Sequence, residues 1–302
     1  MPSRSLPSRW RRTSVRTLVR IVPILALGIG LGGAPAAKAL VPYVYLPQRP
    51  VLEATGLGIA QAAARLLQLG QAEDAARLAA LTVQLLPADP RGWVLLAESQ
   101  LRSNQTEAAG VSLSRARDLD PDNAGIWFAQ GSLALRDGRP DEGLELLRQG
   151  LRRDPRTANA YFDLGNAHIL LNQPRQALEA FKRAAELRRD FWEAINNQAL
   201  VLYELDQVDQ AIAHWRRVLE IQPEAAEPNL ALAAAVFERG PEGRREALER
   251  ASKALASEPD YVLASHQEEQ LWGVKLRDTT QRLLQLEELS ADVERAEANA
   301  SP

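Results

Sequence analysis

The segments Tyr161-Phe162-Asp163-Leu164-Gly165, Asn172-Gln173-Pro174 and Ala177-Leu178-Glu179-Ala180-Phe181-Lys182-Arg183-Ala184 read together as one helical hairpin. Gly165 and Ala177 are small where two antiparallel helices must cross closely, since a larger side chain would push the axes apart. Asn172 is a residue type that tolerates left-handed backbone, which is how a first helix commonly ends. Pro174 suits the opening turn of a second helix. Tyr161 and Phe181 supply the large apolar positions.

The unit recurs along the chain. Pro87, Pro121, Pro155 and Pro223 stand at spacings of 34, 34 and 68 residues, and Arg189 fills the missing beat. A fixed period in this range is the signature of a solenoid. Numbering each repeat 1–34, position 8 reads Ala63, Ala97, Gly131, Gly165, Ala199, Ala233. Position 20 reads Ala75, Ala109, Gly143, Ala177, Ala211, Ala247, the last after a two-residue insertion in the Pro241–Arg244 turn. Position 15 reads Gly70, Asn104, Gly138, Asn172, Asp206, Gly240. Position 4 is a large apolar column (Ile59, Trp93, Trp127, Tyr161, Ile195) that weakens to Asn229. The proline at position 32 stops the second helix.

With an aromatic-x-x-Leu-Gly element followed by Ala, an aromatic, Ala and Pro, the pattern resembles the tetratricopeptide family. It predicts an all-α fold, a right-handed α-solenoid of about six hairpins over 56–261. The repeats are 56–89, 90–123, 124–157, 158–191, 192–225 and 226–261. Ser265 and Glu269 break the register, so no seventh repeat is expected. A capping helix is expected within 262–287, with Trp272, Leu276, Leu283 and Leu284 on one face, because a terminal repeat must cover its apolar side. Trp272 is assigned to packing. Residues 288–302, acidic and poor in apolar side chains, are expected to be disordered.

The first 39 residues hold seven Lys and Arg and no acids. An apolar run, Ile21–Gly33, precedes Ala37-Lys38-Ala39, the layout of a secretory signal with a cleavage site. Thirteen apolar residues fall short of a comfortable span, yet a retained anchor stays open beside a cleaved leader. Residues 40–55 read as a Pro-rich spacer. The arginines hold the N-terminus in the cytoplasm and send the repeats across, so the chain is expected to be exported or membrane-anchored, in a thylakoid membrane or lumen or a periplasm. The net charge of −3 leaves −10 on the remainder, which argues against nucleic acid.

Nothing in the chain suggests catalysis, a metal or a cofactor. There is no Cys, and His168, His214 and His266 lack ligand spacing. His168 is assigned to core packing. A solenoid instead offers a concave groove lined by its first helices. The resemblance implies that positions 2, 5, 6, 9, 12 and 13 face it, which names Arg91, Arg102, Phe128, Arg136, Asn159, Phe162, Asp163, Asn166, Asn196, Asn197 and Tyr203. Asparagine amides both donate and accept, so they can hold extended backbone of any sequence. Asn166 and Asn197 match two asparagines of the family's carboxylate clamp. Its basic places hold Phe162, Glu227 and Ala231, so carboxylate capture is not expected.

A narrower resemblance rests on Pro42-Tyr-Val-Tyr-Leu-Pro47, on the run from Ala79 to Pro87, on the run from Ile126 to Leu135, and on Gln270-Leu-Trp-Gly-Val-Lys-Leu276. These look like cyanobacterial and plastid thylakoid repeat proteins, one family of which binds protochlorophyllide oxidoreductase. That reductase works on the cytoplasmic side, opposite to the side the arginines select, so either the orientation or the partner differs. The expected function is a non-enzymatic scaffold that binds protein partners, as extended peptide or helical segments, during assembly of membrane complexes. An envelope, outer-membrane or cell-wall assembly scaffold and an accessory subunit of an enzyme are the alternatives.

Overall fold

The residues at position 15 all adopt left-handed backbone, from Asn172 at φ 53° to Gly240 at φ 102°. In the computed structural model, which describes residues 48–301, these turns join six antiparallel hairpins. They are α1 (Arg49–Gln68) with α2 (Ala72–Leu85), α3 (Pro90–Arg102) with α4 (Thr106–Leu119), and α5 (Ala124–Arg136) with α6 (Pro140–Arg153). The series continues with α7 (Ala158–Leu170) and α8 (Pro174–Leu187), α9 (Trp192–Glu204) and α10 (Val208–Ile221), and α11 (Ala226–Glu238) and α12 (Arg244–Ser257). A short 3₁₀ turn, Pro241–Gly243, takes up the two extra residues of the last hairpin. Among the described residues there is no strand, and the fold is an all-α solenoid of tetratricopeptide type.

Small residues set the spacing within each hairpin. The alanines at positions 8 and 20 are fully buried. A Cβ on Gly165 would lie 2.4 Å from the ring of Phe181, so only glycine lets α7 and α8 approach around that ring.

Position 4 does more than fill space. The indole Nε1 groups of Trp93 and Trp127 donate to the carbonyls of Pro87 and Pro121, at 3.0 and 2.7 Å. Asn229 Nδ2 donates to the carbonyl of Pro223 at 3.1 Å. The apparent weakening of the column at Asn229 is therefore a second way of making the same bond, which ties α3, α5 and α11 to the proline turns before them.

Three boundaries differ from those expected. α1 begins at Arg49, because Pro50 sits in its first turn where a missing N–H costs nothing, so the end of the spacer is helical. The C-terminal helix is broken. After a 3₁₀ turn (Pro259–Val262) come α13 (Ala264–Glu269), a reversal with Leu271 at φ 63°, and α14 (Val274–Leu284). Over 288–301 the chain is ordered where a disordered tail is expected: a turn at Glu287–Leu289 leads into α15 (Ser290–Asn299). Leu289 and Ala296 are buried, and Val293 and Ala300 pack beside them, a thin stripe that average composition hides. The backbone N–H of Ser301 donates to Asp260 at 2.7 Å.

The core grows toward this end. The largest apolar cluster joins repeats five and six to α14 and α15, whereas the earlier repeats hold small separate clusters. Residues 1–47, where the leader or anchor and most of the spacer are expected, lie outside the described residues. Among the described residues no helix is long and apolar enough to cross a membrane.

Candidate functional site

The C-terminal segment determines how much groove exists. α15 packs on α12 and the Pro259–Val262 turn, while α14 crosses onto the first helices α11 and α9. Glu204 of α9 caps α14, accepting from the backbone N–H groups of Lys275 (3.2 Å) and Leu276 (2.9 Å). Those are orphan donors at a helix N-terminus, and a carboxylate satisfies them and the helix dipole together. Lys275 also pairs with Asp206 at 2.8 Å. Gly273 gives the room, since a Cβ there would lie 2.1 Å from Glu204 Cδ.

This placement changes the reading of Tyr203. It is fully buried, with its hydroxyl 2.5 Å from Glu238 and 3.2 Å from Thr279 of α14. Burial raises its pKa, so it stays a neutral donor. Asn196 is fully buried too and accepts from Trp215 Nε1 at 3.1 Å. Both were expected in the groove. Tyr203 is covered by α14, and Asn196 stands at position 5, where Phe128 and Phe162 also pack inward against core clusters.

The remaining candidates divide by exposure. Asn166 of α7 and Asn197 of α9 come together, Asn197 Nδ2 donating to Asn166 Oδ1 at 3.3 Å. Phe162 lies beside them and packs on Phe191, ring centroids 5.1 Å apart. Asp163 accepts from the Ser132 hydroxyl, which ties α7 to α5 across the groove; burial raises its pKa and that hydrogen bond opposes the rise. Arg91, Arg102, Arg136 and Asn159 are exposed. Arg91 is held by Asp89, which caps α3, and Arg102 by Glu98 one turn earlier on the same helix, so these two arginines are already engaged. His168 is buried and hydrogen-bonded through Nδ1 to Gln173 at 2.7 Å; burial lowers its pKa.

A cavity of about 420 Å³ opens where Phe162, Asn166 and Asn197 meet the Gln270–Leu271 turn. Its floor includes Glu227, one of the positions that replaces a clamp base. Trp272, buried as packing requires, donates Nε1 to Glu227 at 2.9 Å. The sequence signal for this wall was weak, because Gln270 and Leu271 fall inside an apparently continuous helix.

Burial pushes the pKa of Glu227 up to about 7, with the Trp272 bond opposing the rise. Folded Glu227 thus keeps its proton where the unfolded chain has released it, and its stabilising share is complete below pH 4.5 and lost as pH climbs toward 7. Glu227→Gln keeps an acceptor for Trp272 and removes the titration. Urea unfolding at pH 5 and pH 7.5 should show the native chain losing roughly 1–3 kcal/mol more than the variant over that interval. Equal losses in both would show that Glu227 ionises freely.

Two overlapping spans, residues 128–190 and 165–226, match the family model described as Tetratricopeptide repeat. Residues 128–226 thus match tetratricopeptide repeats, a class whose members act as protein–protein interaction scaffolds. Human Protein O-mannosyl-transferase TMTC3 is 30% identical over 111 residues, which is 36% of this chain and 12% of that protein's length. The chain therefore spans only a small part of this curated relative. Among solved structures, one titled for the functional characterisation of Pseudomonas aeruginosa PilF superposes with a TM-score of 0.62 at 19% identity, over 74% of this chain and 98% of that one. YrrB, described as a tetratricopeptide protein with an unusual peptide-binding site, gives 0.50 at 24% identity, over 63% of this chain and 97% of that one. At these identities the two structures speak to the fold.

Proposed function

We propose that the chain is a non-enzymatic scaffold that holds segments of partner proteins in its concave groove during assembly of a membrane complex, the photosynthetic apparatus being the favoured setting. The observation that carries this is the Asn166–Asn197 pair, which stands half-buried in the groove beside Phe162 and lines the cavity. Two amides bonded to each other can exchange that bond for an extended backbone at little cost, since each donates and accepts. The peptide-binding site in YrrB's title is consistent with such a use. The thylakoid-like strings around residues 42–47 and 270–276 favour the photosynthetic setting.

Replacing both asparagines removes both ends of their mutual bond and costs only the long 3.4 Å bond that Asn196 Nδ2 donates to Asn197 Oδ1, so Asn166→Ala/Asn197→Ala should keep its fold. Pull-down from fractionated thylakoid membranes should recover at least about fivefold less partner, a change near 1 kcal/mol, with the helical circular dichroism signal unchanged. Unaltered recovery would remove this part of the groove from the binding face. Fractionation addresses the setting: recovery of the protein in a periplasmic or outer-membrane fraction would move the scaffold to envelope assembly.

A further inference from the structure

The cavity at the closed end of the groove has walls of two kinds. The rings of Phe162, Trp192 and Tyr261 supply one; the carboxyl groups of Glu193, Glu227, Glu258 and Glu269 supply the other, and among the described residues no lysine or arginine lines it. Nearby acids behave differently. Glu224, Glu246, Glu268 and Glu288 each hold a Lys or Arg within 2.9 Å. Among the described residues, none of the four cavity carboxylates is engaged in an ion pair of that kind.

The charge of the chain is distributed to match. Residues 40–191 carry 18 Lys and Arg against 18 Asp and Glu, whereas residues 192–302 carry 11 against 21. The whole acidic excess of the body therefore lies in the part that builds this end of the groove. Aromatic faces attract cations, and lysine and arginine lay their aliphatic stems on apolar walls while the charged head reaches polar groups. An anionic side chain or a free C-terminus would add a further negative charge beside Glu193, Glu258 and Glu269, which no ion pair among the described residues offsets, while Glu227, bonded to Trp272, serves as a hydrogen-bonding wall, so the site discriminates by repulsion as well as attraction.

We propose that this cavity receives the lysine or arginine side chain of a partner segment held in the groove, an inference that rests on the groove being the binding face. The probe is an N-acetylated, C-amidated peptide of sequence Ser-Ala-Arg-Ala-Arg-Ala-Ser, with a second peptide in which citrulline replaces arginine, keeping the shape and removing the charge. By isothermal titration with the full-length protein, the arginine peptide should bind at least about tenfold tighter than its citrulline twin, a difference near 1.4 kcal/mol. Glu193→Gln/Glu269→Gln should abolish that preference. Glu242→Gln/Glu294→Gln removes the same charge from exposed positions that do not line the cavity, and should change affinity less than about twofold, as weak surface electrostatics dictates.

Equal binding of the two peptides, no detectable binding of the arginine peptide, or equal weakening by both double variants would overturn the proposal. The last outcome would mean diffuse attraction to an acidic surface. If the arginine preference fails while Asn166→Ala/Asn197→Ala still reduces partner recovery, the groove stands and only the cavity's ligand is wrong.

Discussion

Deleting residues 264–302 should lower the melting temperature by more than about 10 °C and expose apolar surface to a hydrophobic dye, rather than leave an intact solenoid with a longer groove. The reason is the amount of core the segment carries. Trp272, Leu276, Leu283, Leu284 and Leu289 are all buried, and at about 1.5–3 kcal/mol each their burial contributes roughly 7–15 kcal/mol before the entropy of ordering is subtracted. That gross figure is comparable with the whole stability of a typical domain, about 5–15 kcal/mol. Truncation would also uncover Tyr203 and Leu230 and remove the hydroxyl of Thr279 from its bond to Tyr203. A melting curve by circular dichroism, with dye binding at 20 °C, checks this. If the shortened chain melts within a few degrees of the full one, α13–α15 form a detachable cover, and the groove extends through repeat six.

The same segment shows where reading from sequence stops. Left-handed turns, small crossing residues and stop prolines are local demands of a hairpin, and each leaves one residue type at one place. Gly70, Asn104, Gly138, Asn172, Asp206 and Gly240 could therefore be read without coordinates. The path of α14 depends on contacts far apart in the chain, such as Glu204 with Lys275 and Glu227 with Trp272, and no periodicity announces them. Leu271 is a bulky residue in left-handed backbone, which local preference argues against, so the reversal that splits the expected helix was invisible. The candidate site was legible to the same extent. Asn166, at position 9 of its repeat, and Asn197, at position 6 of the next, sit on neighbouring first helices and meet, because both positions face the same side of the hairpin stack. Asn196 and Tyr203 were misplaced, one because position 5 is a packing column and the other because α14 covers it. Glu193, Glu258 and Glu269 were passed over because they lie in three different elements, and no register column groups them.

Trp215→Ala should cost about 3–5 kcal/mol for the lost side chain, with a further 1–3 kcal/mol for leaving Asn196 buried without its donor. Trp215 is fully buried on α10, within 5.9 Å of the Tyr203 ring, and its Nε1 satisfies Asn196. A loss of this size is comparable with the whole stability of a typical domain, about 5–15 kcal/mol, so the variant should be partly unfolded at 37 °C. The more searching test is a pair exchange. The preceding repeat places Phe162 and Phe181 at these same two positions, ring centroids 5.6 Å apart, so the fold already accommodates two phenylalanines there. Trp215→Phe alone strands a buried amide; Asn196→Phe alone crowds an indole whose N–H has lost its acceptor. Together they rebuild the apolar pair of repeat four and remove both ends of the Trp215–Asn196 bond. In a double-mutant cycle by urea unfolding, the combined variant should be about 1–3 kcal/mol more stable than the sum of the single losses predicts. Such coupling requires Asn196 to face Trp215 in the interior of the hairpin. Strict additivity would return Asn196 to the groove, and with it one more amide to the binding face.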